Sequence, residues 1–229
     1  MLDRTRPHPD SPEMSESLLE SLPLVERLAL AYGSAKGRDV LLPIFACDAR
    51  LSQIVRQKRE PVLAQMRLAW WREMLEKPAD QLPKGDAVLD ALSHWPERGQ
   101  LASLVSGWEM LLQEELDAAA IEAFVDGRAN AVRLAALQID SGNNADVQTA
   151  AQYWALGDLA ANLGPSDERE RVRRQADDLP RNIARLPRSL RPVFILGKLG
   201  QRALDADGAP LLSGPKSMLT IARLGIAGF

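Results

Sequence analysis

The chain has 229 residues, with 28 Lys and Arg against 31 Asp and Glu, for a formal net charge of −3. That length is enough for one sizeable helical core, and the slight acidity gives no basic surface of the kind nucleic acid needs. One cysteine, Cys47, cannot close an internal disulfide, and two distant histidines, His8 and His94, do not make a His-rich metal site. No run of about 18 apolar residues suggests a membrane span, and the N-terminus lacks the apolar core of a signal peptide.

The first residues, 1 to about 16, hold Pro7, Pro9 and Pro12 among polar side chains and read as a flexible tail. The remainder, 17–229, reads as one helical domain, with helices over roughly 17–32, 39–57, 61–77, 86–95, 99–116, 118–139, 146–163, 167–178, 189–205 and 215–226. Pro61 suits a first helical position. Lys77-Pro78, Gly142-Asn143-Asn144, Gly164-Pro165-Ser166, Leu179-Pro180 and Leu186-Pro187 break the pattern. No alternating strand pattern of useful length occurs.

On the 39–57 helix, Val40, Ile44, Cys47, Leu51, Ile54 and Val55 share one face, with Phe45, Ser52 and Arg56 on its flank. Asp48 borders the apolar face and reads as an ion-pair or capping residue. Arg56 reads either as a solvated arginine or as a guanidinium able to hold phosphate oxygens. The 61–77 helix, with Leu63, Met66, Leu68, Trp70, Trp71 and Met74, reads as mostly buried. Arg67 falls inside its apolar arc and needs a partner, for which Asp48 is the candidate. Trp70 and Trp71 read as core, or as rings able to line a cavity and face a carbocation. Ala119, Ala123, Gly127, Ala131 and Ala135 recur every fourth residue, a ridge for close helix packing or for cavity space. Asp158 and Asn162 stand one turn apart. Asp86 and Asp90 share the same spacing, but they open a short helix, where acids suit the dipole.

The stretch from Phe45 to Arg56, followed by Gln65-Met66-Arg67-Leu68-Ala69-Trp70-Trp71-Arg72-Glu73, resembles the squalene/phytoene synthase family. Active members carry Tyr-Ala-Phe-Cys-Arg-x-Ala-Asp-Asp-x-x-Asp in the first segment. Laid on this chain without a gap, those aspartates fall at Ser52, Gln53 and Arg56. A second Asp-x-x-x-Asp of the family is reduced here to Asp158 and Asn162, beside Ala155-Leu156-Gly157. The resemblance runs from about residue 22 to about residue 205. Leu51 to Ile54 and Gln65 to Trp71 look most like the subgroup that includes the mitochondrial complex I assembly factor, whose members have likewise lost catalytic aspartates.

The resemblance implies an all-α isoprenoid-synthase fold around a central cavity, lined by Phe45, Arg56, Arg67, Trp70, Trp71, Gly127 and Ala131. In active members the aspartates hold Mg²⁺, which neutralises the departing diphosphate. With Ser52, Gln53 and Arg56 in their place, and only Asp48, Asp158 and Asn162 remaining, no metal site or cofactor is expected. The implied role is a non-catalytic module for an isoprenoid, a lipid or a protein partner, cytoplasmic with at most peripheral membrane contact. The alternatives are an active Mg²⁺-dependent transferase condensing prenyl diphosphates head to head, and a structural protein whose cavity has filled in.

Overall fold

Helix boundaries follow the prolines and the capping side chains. The computed structural model describes residues 12–57, 60–139, 144–164 and 166–226. Its helices are α1 (Pro12–Ser21), α2 (Leu24–Ala31), α3 (Ala35–Arg56), α4 (Pro61–Glu76), α5 (Ala87–Leu92), α6 (Ala102–Met110), α7 (Ala118–Ile139), α8 (Asn144–Asn162), α9 (Ser166–Gln175), α10 (Arg191–Asp205) and α11 (Gly214–Ile226). There is no strand among the described residues, so the all-α reading holds.

The segment read as one helix over about 17–32 is two helices. Pro23 takes an extended backbone before α2, and the first helix starts at Pro12, inside the stretch read as a tail. Met14 and Leu18 of α1 are buried in the common core. Residues 1–11 lie outside the described residues, as do the expected turn at 142–143 and Pro165 of the turn after α8. Helix α3 starts four residues earlier than its apolar pattern suggests, because Ser34 caps it: its hydroxyl accepts from the Gly37 amide at 3.2 Å. Pro43 sits inside α3. A mid-helix proline ordinarily breaks the ladder, and burial of every residue from Pro43 to Ala49 holds this one in place.

Asp86 is the N-cap of α5, accepting from the amides of Val88 and Leu89 at 3.0 and 3.1 Å, which accounts for that acid structurally. Arg98 is buried and donates to the backbone carbonyls of Leu75, Lys77, Leu92 and Ser93. One guanidinium thus satisfies the open carbonyl ends of both α4 and α5. The expected helix over 99–116 is shorter, since α6 stops at Met110 and the chain turns through Gln113.

Two helix pairs cross at nearly bare backbone. A methyl group at Gly127 of α7 would stand 2.5 Å from the Ser103 carbonyl oxygen, and one at Gly107 of α6 would stand 2.9 Å from that of Ala123. On the other side, Gly157 of α8 faces Gly200 of α10, and a methyl group at Gly200 would run into the Tyr153 carbonyl. The small-residue ridge of α7 therefore serves close packing at Gly127 and does not open a cavity there. Cys47 is fully buried on α3, next to Asp48.

Backbone has little room to yield at the α8–α10 crossing. Gly200→Ala is expected to destabilise the chain by at least about 1–3 kcal/mol in denaturant unfolding. Gly99→Ala, which adds a methyl group in open space, should stay within about 0.5 kcal/mol of the parent.

Candidate functional site: a buried guanidinium between two aspartates

Five helices converge on one cation. Arg128 of α7 has a side chain only 3% exposed. Its Nη2 donates to Asp48 Oδ2 of α3 at 2.6 Å, and its Nη1 to Asp158 Oδ2 of α8 at 2.9 Å. The other oxygen of Asp48 accepts from the indole N–H of Trp108 on α6 at 2.7 Å. Oδ1 of Asp158 accepts from the Asn162 amide at 3.2 Å. The guanidinium carbon stands 4.1 Å from the ring centre of Trp154, 5.4 Å from Phe124 and 5.5 Å from Trp108. Both supporting pairs arise from helical spacing: Phe124 and Arg128 are one turn apart on α7, and so are Trp154 and Asp158 on α8. Phe45 packs against Trp154 in turn, ring centres 5.1 Å apart.

Glu26 of α2 is the fifth contributor. It is buried, and its Oε2 has no hydrogen-bond partner. Burial, with the nearby Asp158 adding to it, pushes its carboxyl up to about 8. At neutral pH Glu26 is therefore mostly the uncharged acid. Burial also raises Asp48, against the pull of Arg128 and the Trp108 N–H. Burial disfavours the charge on Arg128, but its aspartates more than offset this and hold it above the ordinary arginine value.

A cavity of about 220 Å³ lies against this cluster. Trp108, Phe124 and Asp158 form part of its wall, with Arg56 and Asn162 also lining it and apolar side chains such as Val55, Leu116 and Leu159 around them. The structure thus gathers Arg56, Asp158 and Asn162 around one space, with Asp48 behind Arg128. The other expected cavity residues lie elsewhere. Phe45 is core, Gly127 meets α6, and Ala131 is buried. Arg67, Trp70 and Trp71 border a separate groove between α3 and α4. Ser52 accepts from Arg56 Nε at 3.0 Å along α3, and Gln53 is exposed.

Two expectations for α4 are corrected. The helix is not mostly buried: it buries only Ala64, Leu68, Trp71, Met74 and Leu75. Arg67 is exposed and donates to Gln57 Oε1 at 2.6 Å, so it is not the partner of Asp48. The apolar arc was wider than the buried face, and Arg67 sits on the excess. The partner of Asp48 is Arg128, which sequence reasoning did not single out, nor did it find Glu26. The signal for Arg128 was available: it is a lone cation in the apolar i, i+4 row Phe124–Arg128–Val132.

The donor set does not fit the Mg²⁺ that the family resemblance implies. Asp48 and Asp158 are both engaged by one guanidinium, Glu26 is held uncharged, and Ser52, Gln53 and Arg56 add no carboxylate. No group of three His, Cys, Asp or Glu side chains among the described residues is arranged to hold a metal. Compared with known proteins, the chain matches no protein-family model, no curated protein and no solved structure.

Removing Arg128 strands buried acids. Arg128→Met is expected to cost about 3–5 kcal/mol in chemical denaturation, part of which adding Asp48→Asn should restore, while Arg67→Met should change stability by no more than about 0.5 kcal/mol. Glu26 sets a pH dependence. Its folded pKa, about 8, lies above its ordinary 4.5. Its stabilising contribution is therefore complete below about pH 4.5 and is lost as pH rises through about 8. Glu26→Gln should match the parent near pH 4.5 and exceed it by a few kcal/mol above pH 8, as read from unfolding midpoints across that range.

Proposed function

We propose that this chain is a non-catalytic relative of the squalene/phytoene synthases, working as a binding or assembly module for an isoprenoid, a lipid or a partner protein, in the cytoplasm or at a membrane surface. One observation carries the reading. The two carboxylates that the resemblance would offer to Mg²⁺, Asp48 and Asp158, are instead bound to Arg128 at 2.6 and 2.9 Å. A guanidinium at that point repels a divalent cation and occupies the oxygens that would coordinate it.

The size of the adjoining cavity supports the non-catalytic part of this reading and weighs against an enclosed isoprenoid. At about 220 Å³ it falls below the roughly 300–1,000 Å³ usual for pockets that enclose a small-molecule ligand, and two prenyl diphosphates need more. Its wall sets apolar Val55, Leu116 and Leu159 beside one cation, Arg56, and three acids, Glu114, Asp158 and Glu168, so it suits an apolar group rather than an anionic one. Among the described residues no helix is long and apolar enough to cross a membrane, which leaves surface contact as the mode of any membrane association by them.

Purified chain incubated with labelled farnesyl or geranylgeranyl diphosphate and Mg²⁺ is expected to release no diphosphate and form no squalene, phytoene or cyclopropyl product. Turnover that EDTA abolishes would replace this reading with that of an active transferase.

A further inference from the structure

Helix α4 carries an apolar face that nothing in the fold covers. Val62 is 67% exposed, Met66 64%, Leu63 44% and Trp70 39%. Their positions at 62, 63, 66 and 70 set them on one side of the first three turns of the helix. The opposite side, Ala64, Leu68 and Trp71, is buried and fixes the helix against the bundle. Large apolar side chains clustered in this way on a surface mark an interaction site.

Cations stand beside them. The groove between α3 and α4, about 470 Å³, is lined by Arg50, Gln53, Gln57 and Arg67 on its polar side. Arg56 and Arg67 border the adjoining groove. Arg56 donates to Ser52 and Arg67 to Gln57, both neutral partners, and among the described residues none of the three arginines has an ion pair. Acids touch the two grooves at Asp86 and Glu60. Asp86 is already committed to capping α5. The acids of α4 itself, Glu73 and Glu76, lie at its other end.

We propose that this face docks on an anionic phospholipid surface, with Val62, Leu63, Met66 and Trp70 entering the interfacial layer and Arg50, Arg56 and Arg67 pairing with lipid phosphates. Charge complementarity selects the occupant. A partner helix would need apolar walls on both sides of the groove to receive its side chains. Here the α3 wall facing α4 carries Arg50, Gln53 and Gln57 with Ile54 as its one apolar residue, which suits phosphate better than a row of apolar side chains, while Val62 and Met66 stand out from the surface. Tryptophan and arginine both favour the boundary between headgroup and acyl chain. The proposal stands on the surface of α4 and is independent of catalytic competence, since an active transferase could carry the same face.

The test is co-sedimentation of the full chain with vesicles of phosphatidylcholine, with and without about one third phosphatidylglycerol. Binding is expected only to the anionic vesicles, and weaker at high salt. Arg67→Gln and Arg50→Gln should each weaken it about fivefold, matching roughly 1 kcal/mol per cationic side chain near such a surface. Met66→Glu should abolish it. Leu219→Glu on α11, where Leu219 is 70% exposed, should leave it unchanged. Absence of sedimentation, equal binding to neutral vesicles, or full retention by both Met66→Glu and Arg67→Gln would overturn the proposal. A protein ligand that binds this face of a chain indifferent to vesicles would assign it to a partner protein instead.

Discussion

Arg128 is the constraint around which the other helices are arranged. A buried guanidinium requires much of its surroundings to be right at once: acids at its nitrogens and compatible faces beside its plane. Here Asp48 and Asp158 take the two Nη groups and Trp108, Trp154 and Phe124 stand beside the plane, from α3, α8, α6 and α7, while Nε has no hydrogen-bond partner among the described residues. Any of those helices that slid by a turn would leave a charge without its counterpart. Such a cluster is worth little as net stability against a well-packed apolar core, and its contribution lies in specifying one register. The glycine crossings α6–α7 and α8–α10 permit that geometry, because they bring the helices carrying Trp108 and Asp158 close to their neighbours.

The same cluster limits what its own acids can do. Asp48 and Asp158 remain ionisable groups in the centre of a helical bundle, but their lone pairs are directed at the protein's own cation. Glu26, buried on α2, stays mostly uncharged at neutral pH because burial dominates. Helix α3 therefore has two electrostatic sides. Asp48 faces the interior, while Arg50, Gln53 and Arg56 face outward near α4. The cations on the outer flank of this helix stand beside the apolar face of the next one.

Much of the fold was legible in the sequence because prolines, glycines and apolar periodicity act locally. Pro61 opens α4, and Pro78 ends it by pushing Lys77 into an extended backbone. Helix α7 runs from Ala118 to Ile139, as its pattern indicates. What escaped was non-local. Periodicity shows that α4 has a broad apolar arc, but not that the bundle covers only part of it, so Leu63 and Met66 were read as core and Arg67 as buried. The need of Asp48 for a cation was visible; its source, eighty residues away on another helix, required the three-dimensional packing. The split at Pro23 and the cap at Ser34 were readable from chemistry alone, and apolar spacing across them hid both.

Cys47 gives this arrangement an internal clock. It is the only cysteine in the chain, lies one residue from Asp48, and is fully enclosed, with burial pushing its thiol far above the ordinary range. A thiol so protonated and enclosed is inert toward alkylating reagents until the helices around it part. Its rate of labelling therefore reports how often the bundle opens at the very point where Arg128 joins its helices.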